Sequence, residues 1–428
     1  MVRNRWFVVV GAILIQLCLG AIYAWSVFTK PLVDAGWTKT ETQAVFAAGL
    51  AAFAIVMVIA GRLMPKWGPR KLAISGGLVL GAGYILAGLF GGTNFLPVFF
   101  FVGIVGGSGI GLAYVVPIAV GMRWFPDKKG LVTGLSVAGF GFGAMLWVKL
   151  AGSWASLLNP EVLGLGGTFI LYGVIFLISV LIGSIWMTFP AEGWKPAGWT
   201  APTTTAGTQA TGSVEFKSSE MLRTPQYYMI LLTFAFGASA GLMSIGLMKL
   251  FPMQALTATG MDTTAASAVA GTAMAIFFSL ANGIGRIAWG AISDKLGRKA
   301  SITLMMATQG IIVIAFQWMA GTPSLLYLGA TLIGFNFGGN FALFPYITAD
   351  TFGTKSVGQN YGWVFLAYGV GGIVGPILGG KLGDMGNFPL AFTICGVACL
   401  IAAGIISAVK APKHSYATAN AQLGTQTS

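Results

Sequence analysis

The chain has 428 residues, of which 56% are hydrophobic and 8% are charged, and its mean hydropathy is +0.82. An average soluble domain carries about 25% charged residues, and a soluble fold of this length needs far more polar surface. These values exclude a soluble enzyme and indicate a polytopic membrane protein. The formal net charge of +13 is attributed to basic loops at one membrane face rather than to nucleic-acid binding.

Twelve apolar segments are each long enough to cross a bilayer as a helix of about 20 residues. The runs are continuous rather than alternating, which excludes the strands of a membrane barrel. In the first half of the chain the predicted spans are 6–29, 43–61, 72–93, 96–121, 130–157 and 167–189. In the second half they are 225–250, 263–292, 299–320, 323–349, 356–381 and 388–409.

The two halves of the chain repeat each other. Gly106 and Gly143 recur 228 positions later as Gly334 and Gly371, and four glycine or proline positions between them recur at the same offset. The sequence therefore predicts an all-α membrane fold of two pseudo-symmetric six-helix bundles, with a binding site near the midplane between them. The predicted domains are an N-terminal bundle (1–189), a central loop (190–224), a C-terminal bundle (225–409) and a tail (410–428).

The distribution of Lys and Arg predicts the orientation in the membrane. Basic residues cluster in the loops after the second, fourth and eighth spans, in the central loop and at both termini. Because cytoplasmic loops carry an excess of Lys and Arg, both termini, the central loop and the tail are predicted to be cytoplasmic. We expect a multi-pass protein of the cell (plasma or inner) membrane, with the first span retained rather than cleaved.

Two loops carry a resemblance to a transporter superfamily. The segment from Gly290 through Asp294 to Lys299 is similar to the signature loop of the major facilitator superfamily. The corresponding first-half segment, which begins at Gly61, has Pro65 where the acidic residue is expected. The resemblance implies a membrane transporter that works by alternating access.

More specifically, the chain resembles the oxalate/formate antiporter family, with the animal monocarboxylate transporters as more distant relatives. The segments that carry this resemblance are Tyr23-Ala-Trp25-Ser26, Arg123-Trp-Phe-Pro-Asp127-Lys-Lys-Gly130, Met221-Leu-Arg-Thr-Pro225-Gln and Asn360-Tyr-Gly362. They occur in both halves, so the resemblance covers nearly the whole chain.

Arg286 is the main candidate for substrate binding. It lies eight residues before Asp294 in the eighth span, which places it about 12 Å from the helix end at 1.5 Å per residue. An arginine at that depth is costly and stays charged. Its planar fork suits a carboxylate. A snorkelling arginine, or one bound to backbone carbonyls, is the structural alternative.

Several other residues are candidates for contacts with the substrate. Asn282 shares the helix face of Arg286 and cannot titrate, so it cannot act as the proton-coupling Asp of the monocarboxylate transporters. Tyr368 stands where the resemblance places a lysine in the oxalate-exchanging members, which favours a monocarboxylate. By the same analogy Tyr114 faces the site, and weaker candidates are Tyr23, Ser26, Phe335, Asn336 and Asn340, each with helix packing as its alternative.

Charged residues near the span ends are predicted to act in gating and proton transfer. Asp294, Arg298 and Lys299 are expected to form a cluster that clamps the cytoplasmic face shut. Asp34 and Asp350 are the candidate proton relays. Four lysines lie near the outer span ends and are expected to snorkel: Lys30, Lys149, Lys249 and Lys381. Of these, Lys249 is the candidate for an extra guide for an anion.

The sequence thus predicts a secondary transporter of small monocarboxylates such as lactate or pyruvate, linked to protons. An oxalate/formate-type anion exchanger and, in a different class, a carboxylate-sensing membrane receptor are the alternatives. An enzyme is not expected, because the single histidine is His414 in the tail. We expect the anion, a proton and the lipid bilayer as partners, a monomer, and no cofactor, metal or nucleic acid.

Overall fold

The computed structural model describes residues 4–37, 39–196, 215–248, 250–410 and 412. Within these residues all regular secondary structure is helical. Part of the predicted central loop, most of the predicted tail, Lys249 and the side chains of Ser26 and Lys30 lie outside the described part.

Twelve helical rods follow one another along the described chain. The first six are α1 (Trp6–Leu19, a 3-10 segment Gly20–Trp25, and Ser26–Asp34), α2 (Lys39–Trp67), α3 (Pro69–Leu86 and a π turn Ala87–Gly91), α4 (Phe95–Val98, a π segment Phe99–Gly106, and Gly107–Trp124), α5 (Lys129–Lys149 and a π turn Leu150–Trp154) and α6 (Gly164–Ser184). The next six are α7 (Pro225–Leu247 and Leu250–Ala258), α8 (Thr263–Thr272, a π segment Ala273–Phe278, and Ser279–Leu296), α9 (Arg298–Met319), α10 (Pro323–Phe352), α11 (Val357–Asp384) and α12 (Phe388–Ser407). A single-turn helix, Ser218–Met221, precedes α7.

These helices confirm the predicted all-α membrane fold. Eleven helices within the described residues are long and apolar enough to cross a membrane. The remaining rod, α10, has 30 residues, but Asn336, Asn340 and Asp350 make its composition more polar. Large apolar side chains on the outside of the bundle, such as Leu96 at 73% exposure and Trp318 at 70%, face what is hydrocarbon in a bilayer.

Several helices extend beyond the predicted spans. α2 runs from Lys39 to Trp67 rather than over 43–61, and α1 continues through its 3-10 segment to Asp34 rather than ending at 29. Charged and polar residues at these ends lower the hydropathy of a segment without preventing a helix. The hydropathy profile therefore marks the hydrocarbon crossing, whereas the helices extend further.

Glycines allow the two bundles to meet along two helix pairs. A Cβ on Gly290 of α8 would collide with the carbonyl oxygen of Gly130 in α5, and a Cβ on Gly61 of α2 would collide with that of Gly358 in α11. Gly61 and Gly290 are equivalent positions in the internal repeat, and so are Gly130 and Gly358. Small residues let helix backbones approach closely, so the repeat produces two matching contacts between the bundles.

Both contacts lie near one end of the molecule, where the basic loops after α2, α4 and α8 come together; we call this end the basic face and the other end the opposite face. At the basic face the guanidinium of Arg5 donates to both carboxylate oxygens of Asp127, at 2.7 and 3.0 Å. Burial alone would raise the pKa of Asp127, but the hydrogen bonds and charge of Arg5 hold that pKa below its usual range. This pair fastens the start of α1 to the loop between α4 and α5.

Candidate functional site

Arg286 is fully buried between the two bundles. It lies on the continuous helix Ser279–Leu296 of α8, at the predicted spacing from Asp294. Its Nη1 donates to the carbonyl oxygen of Val137 in α5 at 3.1 Å, and its Nε donates to Oδ1 of Asn282 at 3.2 Å. Its Cζ lies 4.0 Å from the ring centroid of Phe341. The arginine therefore points across the bundle interface instead of snorkelling to the basic face, and one of its nitrogens binds a backbone carbonyl, as the second structural alternative has it.

Two glycines of α5 make room for this arginine. A Cβ on Gly134 would collide with the backbone oxygen of Arg286, and a Cβ on Gly141 would lie 3.3 Å from its Nε. Gly141 also touches Gly283, one helical turn before Arg286 on α8. The absence of side chains at these positions lets α5 approach closely enough for its backbone carbonyl to bind the guanidinium.

The arrangement leaves buried donors without partners. Within the described residues, Nη2 of Arg286 and the hydroxyl groups of Tyr114 and Tyr361 have no hydrogen-bond partner, and no acidic group pairs with Arg286. An unpaired buried polar group costs about 1–3 kcal/mol, and more if it is charged. Such groups are retained where they serve function. Two guanidinium N–H groups and a nearby phenol match the two oxygens of a carboxylate.

Aromatic rings surround these donors. The ring of Phe140 lies 5.1 Å from that of Tyr23 and 5.4 Å from that of Tyr114, and its centroid is 5.2 Å from Cζ of Arg286. Tyr23 and Tyr114 both interact electrostatically with Arg286. The site is thus a single cation with phenol groups in an otherwise apolar wall, which is suited to a small anion with a short apolar part.

A hydrogen bond between the bundles lies beside the site. The hydroxyl groups of Tyr23 on α1 and Tyr368 on α11 are 2.6 Å apart, and both side chains are buried. The sequence predicted both as contacts of the substrate, and the structure brings them together with Arg286, Asn282 and Tyr114. In this structure the two hydroxyl groups bind each other.

A cavity of about 340 Å³ lies between the bundles on the side of the opposite face. Tyr23 forms part of its wall, so we call this cavity the vestibule of the Arg286 site. Its lining residues come from both bundles: Tyr23, Trp25, Val27, Phe46, Ala144, Met145, Val148, Lys149, Ile245, Gly246, Gly271, Met274, Ala275 and Ser279. The bundles therefore touch towards the basic face and are separated by a cavity towards the opposite face.

The structure does not bring Phe335 and Asn336 to this cluster. Asn336 accepts from Nε1 of Trp289 at 3.2 Å and donates to Oγ1 of Thr308 at 3.1 Å. Phe335 is half-buried, and its backbone oxygen contacts Gly285. Both residues instead join α10 to its neighbours α8 and α9, because the rotation of α10 about its axis turns these positions away from Arg286.

Asn340 likewise lies outside the cluster. Its Nδ2 donates to the backbone oxygen of Phe337, and its Oδ1 is near Gly237 of α7.

Asp294 closes the basic face by capping a helix of the other bundle. Its two carboxylate oxygens accept from the backbone N–H groups of Gly130 and Leu131 at 3.1 and 3.0 Å, at the start of α5. Tyr346 also donates to Asp294 at 2.8 Å. A carboxylate at a helix N-terminus satisfies free N–H groups and the helix dipole. The bond therefore stabilises the closed arrangement of this face.

The other predicted gating and relay residues have different surroundings. Arg298 forms an ion pair with Asp350 and a hydrogen bond with Tyr346, all within the C-terminal bundle. Lys299 donates to the carbonyl oxygen of Val409 at 3.4 Å, also within that bundle, so it does not cross the interface. Asp34 is exposed at the end of α1 towards the opposite face.

Glu215, in the central loop, is a functional candidate that the sequence reasoning missed. Its carboxylate accepts from the backbone N–H groups of Thr354 and Lys355, just before α11, at 3.1 Å. The carbonyl oxygen of Lys355 accepts in turn from Arg123 of the N-terminal bundle at 2.7 Å. Pro65 occupies the position equivalent to Asp294 in the repeat, so a loop residue supports the start of α11. The sequence showed only a polar loop here.

Glu215→Ala is expected to destabilise the closed basic face. The substitution leaves the partly buried N–H group of Thr354 and the exposed one of Lys355 without their charged acceptor, a loss of about 1–2 kcal/mol. We expect the midpoint of thermal unfolding to fall by at least about 2 °C in scanning fluorimetry. Glu192→Ala is the matched control, because Glu192 is exposed and makes no such contact. Equal midpoints for the two variants would contradict the supporting role of Glu215.

Comparison with known proteins identifies the family. The model of the Major Facilitator Superfamily matches residues 6–277 and again 240–425. The chain belongs to the Major Facilitator Superfamily. It is a multi-pass membrane transporter rather than an enzyme, and the resemblance described from its sequence motifs is confirmed.

The chain is also similar to individual transporters. The oxalate:formate antiporter of Oxalobacter formigenes is 28% identical over 93% of this chain and 90% of its own length. Apicoplast pyruvate carrier 1 of Toxoplasma gondii is 25% identical over 85% of this chain and 81% of its own. Monocarboxylate transporter 13 of Rattus norvegicus is 25% identical over 94% of this chain and 88% of its own length.

A solved structure of the Escherichia coli fucose:proton symporter FucP matches the fold. It covers 95% of this chain and 100% of its own, with a TM-score of 0.66 and 16% sequence identity.

Proposed function

We propose that this transporter carries small monocarboxylates of the lactate or pyruvate type across the cell membrane by alternating access around Arg286. The observation that carries the proposal is the buried Nη2 of Arg286, which has no acceptor among the described residues, close to the phenol of Tyr114. One fixed positive charge balances one carboxylate. The names of the pyruvate carrier and the monocarboxylate transporter among the relatives support the same substrate class.

The transport cycle follows from the closed and open ends of the molecule. The positive-inside rule supports the basic face as the cytoplasmic one, so the vestibule is open towards the outside. An anion that binds Arg286 neutralises a buried charge, which lowers the cost of closing a dry site over it. Opening to the cytoplasm then requires the Asp294 cap on α5 and the Arg123 bond to Lys355 to break.

Proton linkage is part of the proposal, and Asp350 is the residue best placed to provide it. Its side chain is buried at the basic face, where it is paired with Arg298. A proton on this carboxyl group would remove one charge of the pair and weaken it. Arg298 also binds Tyr346, which in turn donates to Asp294. A change at Asp350 can therefore affect the Asp294 cap through the side chains of Arg298 and Tyr346.

An oxalate/formate-type exchanger is the second candidate function, favoured by the 28% identity to the oxalate:formate antiporter. A dianion is best balanced by two cations at the site. Tyr368, which is hydrogen-bonded to Tyr23, occupies the position where the resemblance places a second cation. The charge of the site therefore favours the monocarboxylate.

Uptake into proteoliposomes separates these candidates. We expect labelled lactate and pyruvate to accumulate without a preloaded anion, to accumulate faster when the lumen is alkaline, and to be transported in preference to oxalate. Uptake that requires a preloaded anion would indicate the exchanger. Binding without flux of any of these acids would indicate a carboxylate sensor.

A further inference from the structure

The vestibule contains a second cation. Among its lining residues within the described part of the chain, Lys149 is the one that carries a charge. It is half-buried, and no described residue forms a hydrogen bond or an ion pair with it. The cavity volume of about 340 Å³ is within the range of about 300–1,000 Å³ that is typical of ligand pockets. A lysine that only snorkelled to the membrane surface need not line this cavity.

Lys149 and the Arg286 site lie along the same side of α5. The carbonyl oxygen of Val137 binds Arg286, a Cβ on Gly141 would lie 3.3 Å from Nε of Arg286, and Met145 and Lys149 line the vestibule. Gly141, Met145 and Lys149 are spaced four residues apart, which keeps them close to one helix face. From Gly141 to Lys149 the helix rises about 12 Å. The backbone of Lys149 is therefore about 12 Å further along α5 than that of Gly141, towards the opposite face.

The facing helix, α8, has the same arrangement. Gly271, Ala275 and Ser279 line the vestibule at intervals of four residues. Asn282 and Arg286 continue this side of α8 into the buried site. The wall between the two cations thus presents small or apolar side chains and the phenol of Tyr23. Regular α-geometry is interrupted by the π segment of α8 and the π turn that follows Lys149, and such irregularities are frequent at functional sites.

The separation decides how an anion can use the two cations. A carboxylate of two or three carbons is too short to span about 12 Å, so it contacts one cation at a time. Tyr23, whose hydroxyl group is hydrogen-bonded to that of Tyr368, lines the vestibule and also interacts with Arg286. A positive charge at the wall of a low-dielectric cleft raises the local concentration of anions.

We propose that Lys149 and the vestibule form an outer binding site for the carboxylate group of a small monoanion, which the anion occupies before it reaches Arg286. The proposal rests on the proposed transport of monocarboxylates and adds a separate site to it. The outer site favours anions and governs capture from one face. Arg286 governs binding in the buried site.

Kinetics from the two faces test this site. With labelled pyruvate, Lys149→Gln is expected to raise the KM for entry from the vestibule side by about threefold to tenfold, with little change in kcat or in the KM from the basic face. The effect should shrink at high salt, since the Debye length falls from about 30 Å at 0.01 M to about 8 Å at 0.15 M. Lys149→Arg should restore the wild-type KM.

Lys381→Gln is the matched control, because Lys381 is an exposed lysine on α11 outside the vestibule. An unchanged KM in Lys149→Gln, or an equal change from both faces, would overturn the proposal.

A second measurement tests the outer site without relying on transport. A cysteine introduced by Met145→Cys reports the potential in the vestibule, since the native Cys18, Cys395 and Cys399 are all buried. We expect Lys149→Gln to lower the ratio of its reaction rates with an anionic and a cationic methanethiosulfonate by about threefold to tenfold. Pyruvate should protect the cysteine only when Lys149 is present.

An unchanged reaction ratio overturns the outer site even if pyruvate is transported. A changed ratio with no protection and no transport of any monocarboxylate leaves a cationic vestibule but refutes the proposed substrate. If the reaction ratio changes and pyruvate is transported, but pyruvate does not protect the cysteine, then Lys149 acts only through its electrostatic potential. That result would refute an outer site that the anion occupies.

Discussion

Arg286→Gln is expected to abolish measurable lactate and pyruvate transport while leaving the fold intact. Removing one partner of a buried, hydrogen-bonded charge pair costs about 2–5 kcal/mol of binding free energy. At 1.4 kcal/mol per tenfold, this corresponds to a loss of about 30-fold to 3,000-fold in apparent affinity. Arg286→Lys is expected to recover only part of it, because an ammonium group lacks the planar fork that binds both carboxylate oxygens.

Stability measurements distinguish a binding role of Arg286 from a structural one. A charged arginine near the middle of a membrane helix costs at least about 2.5–3.5 kcal/mol, and part of its guanidinium is unpaired here. We therefore expect Arg286→Gln to unfold at the same temperature as the wild type or a higher one, and to lose the stabilisation that pyruvate gives the wild type.

Arg223→Gln serves as the control for this experiment, because Arg223 is exposed and distant from the site. Transport at the wild-type rate in Arg286→Gln, or a large loss of thermal stability in place of a loss of binding, would contradict the role proposed for this arginine.

Asp294→Asn is expected to shift the protein towards the state that is open at the basic face. The substitution removes the negative charge and replaces one of the two acceptor oxygens by an amide N–H₂ group, so one of the N–H groups of Gly130 and Leu131 loses its acceptor, at a cost of about 1–2 kcal/mol. A change of one to two kcal/mol alters the ratio of two states by about fivefold to 30-fold. Spin labels at Lys66 and Lys295, exposed residues on different bundles at this face, should report a larger population at the longer distance.

Asp262→Asn is the matched control for the Asp294→Asn experiment. Asp262 caps the start of α8 through Thr264 and Ala265, at 2.9 and 3.1 Å, but this cap lies entirely within the C-terminal bundle. Because Asn caps a helix about as well as Asp, we expect this variant to keep nearly the wild-type thermal stability and to leave the distances between the spin labels unchanged. If both variants shift the distances equally, the Asp294 cap has no special role in gating.

Much of the site could be predicted from the sequence because the signals are local. The depth of Arg286 follows from counting residues to Asp294 along one helix. The pairing of Tyr23 with Tyr368 and the exclusion of Asn336 could not be predicted, since both depend on how far each helix is rotated about its axis. Glu215 lies in a loop whose residues carry no periodicity, so its contact with α11 had no local signal.

The sequence by itself determined the membrane class, the all-helical fold, the repeat of two six-helix bundles and the one deeply placed arginine. These properties depend on composition and on hydrophobic runs within single segments, which short-range physics decides. The tertiary structure alone decided which groups Arg286 binds and leaves unbound, which face is closed, and that Lys149 lines the vestibule. Those properties arise from contacts between residues far apart in the chain, where helix rotation and close packing at glycines set the geometry.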